Sequence, residues 1–351
     1  MNEKQKENKR EPSTANTTLQ VENDDLKSEI IEVWEDNFED EIDRISKLLH
    51  KYSNVAMDTE FPGVPFRADN LKGYNEIKTN VDALKLIQVG LSLSDDQGNA
   101  PHPVSTWQFN LKFDLNQEKC QQESIDMLKE AGINFVELAE KGIDPLYFAE
   151  YIYSSGLLLN EDVKWITFHG AFDFAYLIKV VTNSPLPPNL EKFSTTLKTY
   201  FPTLYDIKIM MKEVTDLKSG SLSKLARDLE LKRIGTMHQA GSDSEITLRC
   251  FFKLKEYYFK TGISEKLTNK VYGLNSEYAS LVSEVKVNPN STQFDQPMTM
   301  SHHLTPQQPM NFFGFSQPEV SPLMYYNPVE YNNHMIYTHS NTWRMPDYSS
   351  Y

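Results

Sequence analysis

The sequence is short of cysteine and of long apolar runs, and each shortage excludes a class of protein. Two cysteines, Cys120 and Cys250, stand far apart among 351 residues, which excludes a disulfide scaffold and a cysteine-bound metal site. No run approaches the roughly 18 apolar residues of a membrane helix. The first residues, MNEKQKENKR, lack the apolar core of a signal peptide. We therefore expect a soluble, intracellular protein with reduced thiols.

Positive charge is also scarce, and this limits what the protein can bind. Lysine and arginine number 35 against 49 acidic residues, which gives a net charge of −14 at pH 7. A protein that holds nucleic acid by general electrostatic attraction would be basic, so this class is disfavoured. An enzyme that handles phosphates through divalent cations stays compatible with the charge, because such cations invert the charge balance of an acidic site.

Several signatures of nucleotide-binding proteins and hydrolases are absent as well. The sequence has no G-x-x-x-x-G-K-[ST] loop, no dinucleotide-binding glycine pattern, no H-E-x-x-H motif and no nucleophile elbow. It also has no internal repeat of solenoid length. Catalytic chemistry, if the protein has any, must therefore come from its acidic residues and histidines.

Composition divides the chain into three parts. Residues 1–27 are polar and charged, which predicts a disordered arm. Residues 275–351 are rich in Asn, Gln, Pro, Ser, Met and Tyr, which predicts a disordered, low-complexity tail. The aromatic residues of this tail could dock on a partner, or the tail could have no function of its own. We expect residues 28–274 to fold as one domain.

The middle part alternates between strand and helix patterns. Four segments are predicted as strands, the second and third forming a hairpin around the turn signal DDQGN: 54–61, 83–94, 105–113 and 164–170. Six segments have helical spacing of apolar residues: 41–52, 124–132, 145–156, 172–182, 221–231 and 242–260. Asp40, Ser221 and Ser242 are the expected N-caps. Antiparallel strands followed by strands mixed with helices predict an α/β domain with a mixed sheet.

The acidic pair Asp58 and Glu60 lies on the first predicted strand, in MDTEFPG. Side chains at positions i and i+2 of a strand point to the same face, so the two carboxylates would repel each other. A bound divalent cation removes this repulsion, and oxygen ligands suit Mg²⁺ or Mn²⁺. On spacing alone a solvated strand face is the better interpretation. The apolar residues on both sides of the pair argue against it.

A third acid, Asp173, lies in the apolar segment FHGAFDFAYL. An aspartate in such surroundings must be capped, paired or bound to a metal. The alternative is a first-turn carboxylate stabilised by the helix dipole. His169 precedes it and could orient the site, although a packed position at the end of a strand is the simpler interpretation.

The segment MHQAGSDS supplies a histidine and a fourth acid, His238 and Asp243. The histidine precedes the last predicted helix and the acid lies in its first turn, so both can face one pocket. Histidine is well suited to take a proton from water near neutral pH. Taken singly, His238 could be an ordinary hydrogen-bonded residue and Asp243 a dipole-favoured acid.

Together these residues resemble the histidine-containing branch of the DEDD exonuclease superfamily. Longer segments are similar to the CAF/POP-type deadenylase subunits of the CCR–NOT complex: MDTEFPG, NVDALKLIQVGLSLSDDQG, STWQFNLKF, VKWITFHGAFDFAYLIKVVTN, YFPTLYDIKIMM and RIGTMHQAGSDS. The resemblance runs from about residue 28 to residue 274. It implies an α/β fold of ribonuclease H-like type, a mixed sheet flanked by helices.

The resemblance also implies roles for individual residues. Four acids would bind two divalent cations, Mg²⁺ or Mn²⁺, the first of them being shared by both cations: Asp58, Glu60, Asp173 and Asp243. His238 would activate the attacking water. Phe61 and His169 are candidates for contact with substrate. Phe172 departs from the family, which usually has tyrosine there, and the loop after Gly63 is shorter than usual.

The function implied by the resemblance is that of a 3′-to-5′ poly(A)-specific exoribonuclease, which shortens mRNA tails and releases 5′-AMP. Expected partners are poly(A) RNA, the scaffold subunit of the CCR–NOT complex and a second deadenylase subunit, with no membrane. The expected location is the cytoplasm, with the nucleus as a second compartment. Two alternatives stay open: a non-enzymatic bridge in the same complex, and an exonuclease for DNA or another class of RNA.

Overall fold

The computed structural model describes residues 29–68, 71–217 and 220–274. The predicted arm, 1–27, and the predicted tail, 275–351, lie outside the described residues. Within the described ranges, none of the helices has both the length and the apolar character needed to cross a bilayer.

Strands and helices alternate along the described chain. The strands are β1 (Glu29–Val33), β2 (Asn54–Glu60), β3 (Gln88–Ser94), β4 (Val104–Asn110), β5 (Lys164–Thr167) and β6 (Thr203–Asp206). The helices are α1 (Phe38–Leu48), α2 (Tyr74–Ala83), α3 (Gln122–Glu130), α4 (Phe135–Lys141), α5 (Pro145–Ser154), α6 (Ala171–Thr182), α7 (Leu190–Tyr200), α8 (Ile207–Met210), α9 (Leu222–Asp228) and α10 (Ala240–Tyr258).

The strands form one mixed sheet in the order β1-β4-β3-β2-β5-β6. β3 pairs antiparallel with β2 and with β4, so the predicted hairpin is confirmed. The β1–β4, β2–β5 and β5–β6 pairs are parallel. The predicted α/β class with a mixed sheet is therefore confirmed, and β2 lies in the middle of the sheet.

Each face of the sheet packs against its own group of helices. Val55 and Met57 of β2 belong to a core that includes residues of α1, α2, α5, α6 and α7. Ala56, which points to the other face, belongs to a second core with residues of α8, α9 and α10. Because side chains alternate along a strand, Asp58 and Glu60 share the face of Ala56 and α10.

α10 approaches the sheet most closely at Gly90 of β3. A Cβ atom added to Gly90 would lie 1.9 Å from the carbonyl oxygen of Ala240, the first residue of the helix. Real Cβ atoms do not come this close to backbone, so only glycine fits at this position. The absence of a side chain at Gly90 therefore sets how closely the N-terminus of α10 approaches β3.

The sequence prediction was wrong at several boundaries and missed several elements. β3 begins at Gln88, not residue 83, because Ala83 ends α2, which was not predicted. The strand β6 and the helices α4 and α7 were also missed. Ser221 caps α9 as predicted, its hydroxyl accepting from the Lys224 amide at 3.2 Å. Asp40 lies inside the first turn of α1 and is not its cap.

The predicted cap of the last helix was wrong for a tertiary reason. α10 begins at Ala240, so Ser242 lies in its first turn, and the Ser242 hydroxyl donates to the Ile234 carbonyl at 2.6 Å. The first helical amides donate to glutamine side chains of the sheet instead: Ala240 N to Gln88 at 3.4 Å and Gly241 N to Gln108 at 2.8 Å. The sheet therefore caps this helix.

Candidate active site

The pair Asp58 and Glu60 ends the central strand β2. Asp58 lies opposite Gly90 of β3, and Glu60 lies opposite Gln88. Glu60 is buried, with 8% of its surface exposed, while Asp58 keeps partial exposure. The predicted arrangement of two carboxylates on one strand face is therefore present, and the face is only partly open to solvent.

Asp173 reaches the same region from the opposite side of β2. It lies in the first turn of α6 and is buried. Its Oδ1 accepts a hydrogen bond from the hydroxyl of Thr59, at 2.6 Å. Burial raises the pKa of Asp173 to about 7, and the Thr59 hydroxyl opposes this rise by bonding to the charged form. Thr59 thus links the second acidic segment to the strand that carries the first.

His238 and Asp243 lie on either side of the start of α10. The backbone amide of His238 donates to Asp243 Oδ2 at 2.9 Å. His238 has a φ of 65°, in the left-handed region that non-glycine residues rarely adopt. The bond to Asp243 contributes to holding this conformation, so the acid of the first turn positions the backbone of the histidine.

Three of the predicted acids and the histidine lie on the α10 face of the sheet, and Asp173 reaches them from the other side of β2, close enough for its charge to act on Asp58 and Glu60. Glu60, His238 and Asp243 each place a ligand atom within 4.8 Å of the other two. Burial is the largest cause of a raised pKa at Asp58, and nearby carboxylates add to it: Asp173, Asp243 and Glu60. Burial, then the charges of Asp243 and Asp173, also raises the pKa of Glu60.

Mutual repulsion of this kind is what a divalent cation relieves. Carboxylate oxygens suit Mg²⁺ or Mn²⁺, and the four acids supply them, while the imidazole of His238 is available as a base. The donor set therefore fits divalent cations, while the role of each residue stays a prediction.

Phe61 and His169, the two candidates for substrate contact, lie beside this region. The Phe61 ring stacks with Phe172 at 5.3 Å and with Tyr176 at 5.0 Å between centroids, and it keeps partial exposure. His169 follows β5 and packs edge-on against Tyr272 at 4.7 Å. Burial lowers the pKa of His169. Packing thus accounts for both rings, and contact with substrate stays a prediction.

Asp206 is a positioning residue that the sequence analysis missed. It is fully buried at the end of β6, and its carboxylate accepts four backbone amides, at 2.8–3.1 Å: His169, Gly170, Lys208 and Tyr272. Two of these amides belong to the turn that leads into α6 and Asp173. An acid in the apolar segment LYDIKIM was the only sequence signal for this role.

A network of side-chain amides positions Gln239, the residue that follows His238. Gln239 Oε1 accepts from Gln108 at 2.7 Å and from Gln88 at 3.3 Å. Gln239 Nε2 donates to the Ala131 carbonyl at 2.9 Å. The residue that follows His238 is therefore fixed to β3, to β4 and to the end of α3. No local sequence pattern indicated this network.

The arrangement defines a class of protein. Four acids and a histidine, gathered at a mixed α/β sheet, can hold divalent cations and accept a proton, which are functions that a cation-dependent hydrolase of phosphate esters uses. The family model for CAF1 family ribonucleases matches residues 33–151 and 156–251 of the chain. The chain therefore belongs to the CAF1 family of ribonucleases.

Individual relatives are similar over the same region. The chain is 46% identical to poly(A) ribonuclease pop2 of Schizosaccharomyces pombe over 255 residues, 71% of this chain and 76% of that protein. It is 45% identical to the probable CCR4-associated factor 1 homolog 10 of Arabidopsis thaliana over 259 residues, 71% of this chain and 93% of that protein.

Solved structures agree with this assignment. The Mg²⁺- and Mn²⁺-bound form of S. pombe Pop2p matches with a TM-score of 0.67 at 46% identity, covering 70% of this chain and 100% of that one. Yeast CAF1, co-crystallised with the MIF4G domain of NOT1, matches with a TM-score of 0.62 at 34% identity, covering 70% of this chain and 96% of that one. The ribonuclease H-like type of fold is confirmed.

Proposed function

We propose that this ribonuclease removes poly(A) tails from mRNA in the 3′-to-5′ direction and releases 5′-AMP. The observation that carries the proposal is the convergence of Glu60, His238 and Asp243 within 4.8 Å, beside Asp58. The relative from S. pombe, a poly(A) ribonuclease at 46% identity, supports the choice of substrate. The proposed nuclease domain comprises residues 28–274.

Two divalent cations, Mg²⁺ or Mn²⁺, are the proposed cofactors, which the metal-bound form of S. pombe Pop2p supports. Asp58, Glu60 and Asp243 would hold one cation, and Asp58 and Asp173 the other. When bound, such cations lower the pKa of an attacking water and neutralise charge on the phosphate and the leaving oxygen. The pKa values of Asp58, Glu60 and Asp173 are raised, so a positive charge placed among them would stabilise their ionised forms.

The protein's own residues position the reaction and move its proton. The His238 imidazole would accept the proton of the attacking water, since its ring lies beside Glu60 and Asp243. The Asp243 carboxylate holds the His238 backbone, and Thr59 holds Asp173. Burial of Glu60, Asp173 and Asp243 limits their contact with bulk water and strengthens these interactions.

The test is release of AMP from purified full chain with Mg²⁺ on oligonucleotides that end in A, G, C or U tracts, and on a DNA oligonucleotide. We expect AMP from the A tract, faster than cleavage of the other tails, and no activity after chelation. Equal trimming of all RNA tails would contradict the poly(A) assignment, and preference for DNA would support another exonuclease.

An Asp58→Ala variant separates the enzyme from a structural bridge. The expected result is complete loss of cation-dependent cleavage with the fold retained, since Asp58 would contact both cations. Asp95→Ala, on the exposed turn after β3, is the matched control and should cleave as the unchanged protein does. Cleavage by Asp58→Ala at the unchanged rate would place the active site elsewhere.

We also propose that the protein acts within the CCR–NOT complex. The co-crystal of yeast CAF1 with the MIF4G domain of NOT1 supports a scaffold partner of that type, and a second deadenylase subunit is the further proposed partner. The proposed location is the cytoplasm, with the nucleus as a second compartment. Co-purification of the tagged protein with both partners, and imaging of the same protein, test these points.

A further inference from the structure

Arg233 brings a cation to the edge of the acidic site. It lies between α9 and α10, and 18% of its side chain is exposed. One guanidinium nitrogen, Nη1, forms an ion pair with Asp243 Oδ1 and also donates to the Ser242 hydroxyl at 3.2 Å. The other, Nη2, is buried without a hydrogen-bond partner among the described residues. A buried donor without a hydrogen-bond partner costs the folded protein free energy, because it has lost its bonds to water.

The two oxygens of Asp243 are held by different groups. Arg233 contacts Oδ1, and the backbone amide of His238 donates to Oδ2 at 2.9 Å. A carboxylate held at both oxygens has lost most of its rotational freedom before any ligand arrives. It can still bind a cation, because each carboxylate oxygen has more than one lone pair.

Arg233 also brings its charge to the edge of the acidic cluster, through the ion pair with Asp243. Arg233 therefore gives the cluster one positive charge that does not depend on a bound cation. Lys232, the next cation along the chain, is exposed and has no contact of this kind among the described residues.

We infer that Arg233 is a positioning residue, which fixes the Asp243 carboxylate in the orientation that binds a divalent cation and so sets the affinity of the site. The inference rests on the proposed function, because it takes Asp243 as a cation ligand. Groups that hydrogen-bond to a metal ligand typically change metal affinity by about 10- to 100-fold when they are replaced. We expect a loss of this size from Arg233→Met.

An opposite effect must be weighed against positioning. Arg233 repels a cation at the site, so removing its charge alone would tighten binding. Arg233→Lys separates the two effects, because lysine keeps the charge but lacks the planar fork that reaches Asp243 and Ser242 together. If positioning dominates, both variants bind more weakly. If repulsion dominates, Arg233→Met binds more tightly and Arg233→Lys binds as the unchanged protein does.

The experiment is a titration of the full chain with Mn²⁺, in which electron paramagnetic resonance measures the free ion. The variants are Arg233→Met, Arg233→Lys and the control Lys232→Met, which removes the same charge one residue away. We expect the Kd for Mn²⁺ to rise about 10- to 100-fold in Arg233→Met and at least several-fold in Arg233→Lys, with the control unchanged. The Mg²⁺ concentration that half-saturates AMP release should rise in parallel.

The outcomes separate this inference from the proposed function. Tighter or unchanged Mn²⁺ binding by Arg233→Met would overturn the inference and leave the proposed function intact. A purely structural role also overturns it, and would lower the melting temperature of the cation-free protein without changing the Kd. An unchanged protein that bound no Mn²⁺ would overturn the proposed cation site itself.

Discussion

At the scale of residues, the buried carboxyl of Asp173 makes the site sensitive to pH. Its pKa is raised to about 7 by burial, above the ordinary value of 3.8. Between these values the folded protein keeps a proton that the unfolded chain has released. The protonated Asp173 carboxyl therefore contributes to the unfolding free energy fully below about pH 4, and this contribution is lost as pH rises through about 7.

Asp173→Asn should remove this dependence in the cation-free protein. Asparagine can still accept the Thr59 hydrogen bond but carries no charge. The unfolding free energy of the variant should therefore rise relative to that of the unchanged protein as pH rises. We expect the difference in unfolding free energy to favour the variant by at least about 1 kcal/mol more at pH 8 than at pH 5. Urea unfolding in a chelator at the two pH values measures it. A difference that did not change with pH would contradict the assignment.

Sequence alone predicted which acids and which histidine come close together, but not the residues that hold them. Asp58, Glu60, Asp173, His238 and Asp243 come together as expected. Thr59, which bonds to a residue 114 positions away, gave no local signal, and the only signal for Asp206 was an acid in an apolar segment. A hydrogen bond between distant segments depends on the order of the strands in the sheet, and a short sequence motif does not predict that order.

At the scale of elements, the contact between α10 and β3 determines where the histidine and the last acid lie. Gly90→Ala would place a methyl group 1.9 Å from the Ala240 carbonyl, so the N-terminus of α10 must move. We expect the unfolding free energy to fall by about 1–3 kcal/mol and Mn²⁺ binding to weaken, because His238 and Asp243 move with the helix.

Ser94→Ala on the same strand is the control for this change. Its hydroxyl is buried without a partner in the described part of the chain, so its removal should leave Mn²⁺ binding unchanged. Denaturant unfolding and Mn²⁺ titration of both variants measure the effects. Normal stability and normal cation binding in Gly90→Ala would show that the helix position is not fixed by this contact.

The elements that sequence patterns missed or misplaced have identifiable physical causes. α7 buries only Phe193 and Leu197, and β6 has only four residues, so neither forms a long apolar pattern. The start of α10 was misplaced because a serine at residue 242 resembles a cap. Glutamines of two strands fill that role instead. Local propensity cannot register a cap that comes from another element.

At the scale of the whole molecule, we predict that residues 28–274 fold and act without the rest of the chain. This fragment should release AMP from poly(A) at a rate within about twofold of the full chain and melt as one unit. A fragment that ends at residue 261 is the contrast. It lacks Asn269 and Tyr272, which bond to Leu204 and Asp206, and it should melt at a lower temperature.

Thermal unfolding and AMP release of both fragments test this boundary. If the fragment 28–274 were inactive, the arm or the tail would contribute to catalysis. Equal melting temperatures for the two fragments would show that residues 262–274 add nothing to the fold.

The sequence by itself determined the chemistry of this protein: which acids and which histidine it offers, in which order, and on which kinds of element. Periodicity placed these residues on strands and in first helical turns, whose side chains point in known directions, and the resemblance to a known family implied their roles. Only the tertiary structure decided how closely Asp58, Glu60, Asp173, His238 and Asp243 meet and that Arg233 joins them. Those distances depend on strand order and on the close approach of α10 at Gly90, which arise from contacts between distant segments.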